Sequence, residues 1–185
     1  TDSGTSAMSD EQWAGIMRGD EAYAGSKNFA NLESAVRDVY GLPYVIPTHQ
    51  GRGAEHIMSQ ALIKKGDVIP NNLYFTTRRV HQELAGGKWR DVSVREAVDP
   101  QSTFSFKGNI DVSALEECIV KRKNGRYRIP YISMEACVNM AGGQPFSMKN
   151  LRDVKVISLT YGIPLNLYAT RLVENAYFKK HREKG

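Results

Sequence analysis

Cysteine is scarce in this chain. Only Cys118 and Cys137 occur, and their separation matches neither a metal site nor a redox pair. They are expected as reduced, partly buried thiols of a cytoplasmic protein. The four histidines, His49, His56, His81 and His181, lack the spacing of zinc ligands. No nucleophile elbow centred on serine and no P-loop lysine motif is present. No apolar run reaches membrane-spanning length, and no signal-peptide pattern stands at the start. The first residue, Thr1, is not an initiator Met, so a preceding piece is expected to have been cleaved or left out. These absences speak against a disulfide scaffold, a zinc enzyme, a serine hydrolase of the elbow type, a P-loop nucleotidase and a helical membrane protein.

What is present is a folded-protein composition: 185 residues, 41% apolar, with no low-complexity tract. The net charge is +5, concentrated in Lys121-Arg122-Lys123 with Arg126 and Arg128 and in the tail from Lys179 to Lys184. Solvated helix ends explain such clusters better than nucleic acid does. Cations favour helix C-termini, and no aromatic platform is interleaved with them.

Apolar runs alternate with helical patterns. Ser9 with Gln12 forms a capping box before a short helix that ends near Gly19. Phe29, Leu32, Val36, Val39 and Tyr40 mark a second helix stopped by Gly41. Strands are predicted at Tyr44–Ile46, Val68-Ile69, Leu73–Phe75, Arg128–Met134 and Leu165–Tyr168, with Asp91–Val94 extended. Helices are predicted over Ala54–Lys65, Thr77–Leu84, from Asp111 to about Lys123, after Ser147 as far as Gly162, and from Leu172 into the tail. This alternation predicts an α/β layer fold with a largely parallel sheet flanked by helices. Ligands of such sheets sit at the C-terminal strand ends. Gln50-Gly51-Arg52, Phe75-Thr76-Thr77, Asn139 and Tyr168-Ala169-Thr170-Arg171 all fall there. Gln50-Gly51-Arg52-Gly53 opens a helix, where unpaired N–H groups and the helix dipole favour an anion. Glycine lets the backbone approach that anion, and Arg52 adds a charged contact.

Several long blocks then carry a resemblance. They are Thr1 through Ser9, Gly19 through Ser26, Pro47 through Glu55, Tyr74 through Thr77, Val138-Asn139, Ala141 through Pro145 and Thr170 through Phe178. In these the chain resembles the β-eliminating lyases, the family of tyrosine phenol-lyase and tryptophanase, and looks closer to the first. The resemblance implies the aminotransferase-type large domain that binds pyridoxal 5'-phosphate (PLP), without the C-terminal small domain. Residues 1–185 would form one incomplete PLP-binding large domain, with an N-terminal segment and helices over 1–42 and an α/β core over 43–185. The implied reaction is β-elimination of an aromatic amino acid, tyrosine to phenol, pyruvate and ammonia.

By that resemblance, Gln50, Gly51 and Arg52 would hold the cofactor phosphate. Phe75 would stack on the pyridine ring, Asn139 would hydrogen-bond the ring hydroxyl, and Arg171 would contact the cofactor region. Tyr23 resembles the tyrosine that protonates the aromatic leaving group. Thr1, Ser3 and Thr76 would lie near the substrate. Gly4, through its carbonyl, and Glu21 resemble parts of a monovalent-cation site of the kind that takes potassium. Two departures stand out. Tyr168 occupies the place of the family's aspartate beside the pyridine nitrogen, and a neutral phenol is a weaker partner for a cationic ring. No lysine here aligns with the family's Schiff-base lysine, which follows the Thr-Arg-x-Val-Glu-Asn block at a distance. A truncated or split chain is therefore expected. A second polypeptide would supply that lysine and the small domain, in a homo- or hetero-oligomer. The alternative is a non-catalytic descendant that keeps the fold and an anion or PLP site. Neither a membrane nor nucleic acid is the expected partner.

Overall fold

The computed structural model describes residues 8–20, 22–123, 125 and 127–183. They belong to two compact units, Thr1–Thr48 and His49–Gly185.

The first unit holds two helices whose ends are set by local chemistry. Helix α1 (Asp10–Met17) begins at Ser9, whose Oγ accepts the Gln12 N–H while Gln12 Oε1 accepts the Ser9 N–H. Helix α2 (Lys27–Tyr40) begins at Ser26 and ends on Gly41, which takes the left-handed conformation (φ 66°) that glycine adopts without strain. Asp20 reinforces this start by accepting the Lys27 N–H at 2.7 Å and the Asn28 N–H at 3.3 Å. No residue of either helix is buried. The predicted strand at Tyr44–Ile46 does not form, and Tyr44 and Ile46 lie exposed. An apolar triplet becomes a strand only where another strand pairs with it, and none pairs here among the described residues.

The second unit is a parallel α/β layer. Strands β1 (Val68–Asn71), β2 (Lys88–Asp91), β3 (Ile132–Glu135) and β4 (Leu165–Tyr168) form one sheet in the order β2-β1-β3-β4, with every pairing parallel. Helix α3 (Gly51–Leu62) precedes β1, and α4 (Thr76–Leu84) connects β1 to β2. Helices α5 (Val112–Lys123) and α6 (Met148–Tyr161) lie on either side of β3 in sequence, and α7 (Leu172–Arg182) follows β4. The alternating parallel pattern anticipated from the sequence is borne out. Leu73–Phe75 is not a strand: Leu73 turns the chain at φ 60°, which ends β1 and leads into α4. The Asp91–Val94 expectation shifts toward the N-terminus as β2, and the Arg128–Met134 strand begins only at Ile132.

The two faces of the sheet differ in kind. Ile132, Met134 and Ala136 of β3 and its extension join Leu115, Ile119, Val154 and Ile157 of α5 and α6 in the main apolar core. The alternate residues Tyr131, Ser133 and Glu135 are equally buried with α3 and α4 side chains that are polar. Those are Glu55 and Ser59 on α3 and Arg78 and Gln82 on α4, each pair one helical turn apart. Gln82 Nε2 donates to the Tyr131 hydroxyl at 3.3 Å. Asn72, fully buried after β1, ties the strands together. Its Nδ2 donates to the carbonyls of Gly108 and Glu135, and its Oδ1 accepts the Glu135 N–H at 2.7 Å.

Candidate functional site

The C-terminal ends of β1, β3 and β4 and the N-terminus of α3 carry most of the residues singled out in the second unit. Gln50 is the extended residue before α3, and its carbonyl accepts the N–H groups of Gly53 and Ala54. The first-turn N–H groups of Gly51 and Arg52 therefore have no partner within the helix. A Cβ on Gly51 would meet nothing within 4 Å, so the backbone there stands open to a ligand. A Cβ on Gly53 would fall 2.8 Å from the exposed His49 ring, so a larger residue there would displace that side chain.

Phe75 is the extended residue that starts α4, with Thr76 as the helix's first residue. Its ring and that of Tyr168 lie nearly parallel, 25° apart with centroids separated by 6.5 Å. The Arg78 guanidinium stands 5.0 Å from the Tyr168 ring centre, in cation–π range. Tyr168 is aligned in register with Glu135 on the neighbouring strand. Burial pushes the Tyr168 phenol above its ordinary value. Thr170 opposes that shift, and Glu55 and Arg78 add smaller effects of opposite sign. The hydroxyl is thus neutral at physiological pH. Asn139 opens a short turn after β3, and its N–H donates to Glu135 Oε1 at 3.1 Å. Arg171 immediately precedes α7, and its charge reaches Glu135 and Cys137.

Three charged residues were not singled out by role in the sequence, and all are buried. Arg78 (1% exposed) donates from Nη2 to Glu135 Oε2 (2% exposed) at 2.9 Å. Burial nonetheless raises the Glu135 carboxyl, with Arg78 and the Asn139 N–H opposing. Glu55 (3% exposed) accepts from Thr77 Oγ1 at 2.8 Å through Oε2, while its Oε1 has no hydrogen-bond partner. The signal available in the sequence was a charge set within an apolar run, Met134-Glu135-Ala136-Cys137-Val138, and an arginine one turn after Phe75. A cleft of about 410 Å³ runs between α3 and the end of β4, with Gly51, Glu55, Tyr168 and Thr170 among its walls.

Tyr23 belongs to the first unit and is fully exposed. Thr1, Ser3, Gly4 and Glu21 lie outside the described residues. Both cysteines are buried free thiols, as anticipated, and burial pushes Cys137 up to about 11. The basic clusters are partly engaged: Lys121 pairs with Glu117, Arg128 with Asp67, and Arg182 donates to the Ser105 carbonyl. No group of metal-binding side chains occurs among the described residues, and none of their helices is long and apolar enough to cross a membrane.

Comparison with known proteins gives a consistent relationship. The sequence model of the beta-eliminating lyases matches residues 1–184. A tyrosine phenol-lyase of Nostoc punctiforme is 62% identical over 99% of this chain and 39% of its own length. One of Symbiobacterium thermophilum is 58% identical over the whole chain and 40% of its own length. The chain thus spans about 40% of the curated relatives it matches. Among solved structures, an archaeal alanine:glyoxylate aminotransferase superposes with a TM-score of 0.58 at 20% identity, covering 75% of this chain and 33% of that one. Aspartate aminotransferase from Thermus thermophilus gives 0.55 at 19% identity, over 74% and 33%. At these identities the two structures establish the aminotransferase-type fold.

Proposed function

The chain belongs to the β-eliminating lyase family, and from that premise we propose that it grips the cofactor phosphate and flanks the cofactor ring in a PLP-dependent carbon–carbon lyase. The reaction is conversion of tyrosine and water to phenol, pyruvate and ammonia, in the cytoplasm. The family and the aminotransferase-type fold both imply PLP. That group, when bound, draws electrons from the amino acid's α-carbon.

The residues present fit the phosphate end of the group. Gly51 leaves space for it, the first turn of α3 directs N–H groups outward, and Arg52 adds charge. Phe75 suits one face of the ring, Asn139 suits its hydroxyl, and Arg171 suits the cofactor region. Thr76 belongs beside the substrate carboxylate, with Thr1 and Ser3 near it. Tyr23 is the proton donor to the aromatic leaving group. Gly4 and Glu21 contribute to a monovalent-cation site. The lysine that holds the cofactor, and the domain that closes on the substrate, come in this reading from polypeptide beyond these residues, within an oligomer.

The observation that carries the reading is the convergence of an open glycine helix start, an aromatic ring and residues 168–171 at one end of a parallel sheet. Titration of the purified protein with PLP, followed by calorimetry and visible absorbance, tests it. Saturable binding that inorganic phosphate competes away is expected, and a flat titration would overturn it. One feature favours a second reading, a non-catalytic descendant with an anion site: Tyr168 packs against Phe75 and Arg78 where a ring partner would stand. That reading requires phosphate alone to bind as tightly as PLP, because the ring would contribute nothing.

A further inference from the structure

Among the residues lining the cleft, Glu55 is the one carboxylate. Its Oε2 is fixed by the Thr77 hydroxyl at 2.8 Å, and its Oε1 is buried with no donor. A buried carboxylate oxygen left without a donor is strongly destabilising, so such a group marks a place where a donor is to arrive. Neighbouring groups do not meet that need. Arg78 on α4 gives Nη2 to Glu135, and its Nε and Nη1 make no hydrogen bond to Glu55. Glu135 on β3 has both oxygens occupied, by Arg78 and by the Asn139 N–H. The Tyr168 hydroxyl at the end of β4 interacts with Glu55 without making a hydrogen bond to Oε1, and the Arg171 charge reaches Glu135.

Position on the helix adds a geometric argument. Glu55 follows Gly51 by four residues of α3, an advance of about 6 Å along the axis. In PLP the phosphate arm and the ring nitrogen share one edge of the ring, separated by a single ring carbon. Gly51 and Glu55 line the same cleft, so a group whose phosphate sits at the first turn of α3 has the Glu55 carboxylate on the same wall. We propose that Glu55 Oε1 accepts the hydrogen bond from the protonated ring nitrogen of PLP, so that the acidic partner missing at residue 168 is supplied from α3. Thr77 is the positioning residue, since it holds the other oxygen. Tyr168 then serves as a packing wall between Phe75 and Arg78.

This assignment rests on the PLP reading above, and its test separates the two. The full chain is saturated with PLP carrying ¹⁵N in the ring, and the nitrogen signal is compared in wild type, Glu55→Gln and Tyr168→Phe. The glutamine is nearly isosteric and its amide oxygen still accepts from Thr77; thermal melting verifies that each variant is folded. The expected result is a protonated nitrogen in wild type and in Tyr168→Phe. Glu55→Gln is expected to move the signal to the unprotonated position and to weaken PLP binding about tenfold or more, the scale of one charge-assisted bond. An unprotonated nitrogen in wild type, or a signal that follows Tyr168→Phe instead, would overturn the assignment while leaving PLP binding intact. Failure of wild type to bind PLP at all would overturn the proposed function and this assignment with it.

Discussion

Arg78 and Glu135 put a full cation and a full anion beneath a helix layer where burial is nearly complete. Desolvation of both charges offsets most of their attraction, so such a pair adds little net stability. Losing one member is another matter, because the survivor is then buried without a counter-charge. Arg78→Met is expected to destabilise the fold by about 3–5 kcal/mol in chemical denaturation. The paired change Arg78→Met with Glu135→Gln is expected to recover most of that loss, since the amide oxygen still accepts the Asn139 N–H. Two costs that simply add would show that the residues act independently. Arg78 retains Nε and Nη1 as buried nitrogens without a partner, and Gln82 Oε1 is likewise unpartnered. Buried water is the usual partner of such groups, at two to four contacts each.

At the scale of elements, the helix starts and stops are local chemistry, and they were legible. Ser9 with Gln12, Asp111 before α5, Ser147 before α6, and the glycines at 41 and 162 mark boundaries within a few residues of those observed. Strand boundaries are not local, since a strand exists by virtue of its neighbour. Tyr44–Ile46 and Leu73–Phe75 have strand composition and no strand partner, and β2 occupies Lys88–Asp91 because those residues align with β1. The site was legible where it is contiguous, at Gln50-Gly51-Arg52 and Phe75-Thr76. It was illegible where it depends on Arg78 meeting Glu135, 57 positions along the chain. The start of α2 carries its own prediction. Hydrogen bonds to the Asp20 carboxylate, that from the Lys27 N–H foremost, hold its pKa below the ordinary 3.8. An acid whose folded value is lowered contributes stability above its unfolded value, and that contribution is lost as pH falls through the lowered value. Amide exchange at Lys27 and Asn28 is therefore expected to quicken, relative to the middle of α2, as pH falls below 3.8. Asp20→Asn should show the fast exchange already at neutral pH; slow exchange there would contradict the role given to Asp20.

Across the whole molecule, large apolar side chains stand exposed on both units. They include Trp13, Ile16 and Val39 in the first unit and Val156, Leu159 and Val173 in the second. Strand β4 pairs only with β3 among the described residues, and its four residues are merely half-buried. Surfaces of this kind are ordinarily covered by further polypeptide or by another copy. Light scattering of the isolated chain is expected to show self-association that rises with concentration. A clean monomer at high concentration would contradict it.

The unlike faces of the sheet also bear on how such a sequence drifts over generations. Behind Ile132 and Met134, any side chain of suitable volume keeps the layer together, so replacements there accumulate one at a time. Behind Ser133 and Glu135, Arg78 is matched to Glu135 and Gln82 to Tyr131, and exchanging one member of either pair strands the other. Change on that side proceeds by compensated pairs. A survey of variants would find substitutions on α3, α4 and β3 arriving together, and those on α5 and α6 arriving alone.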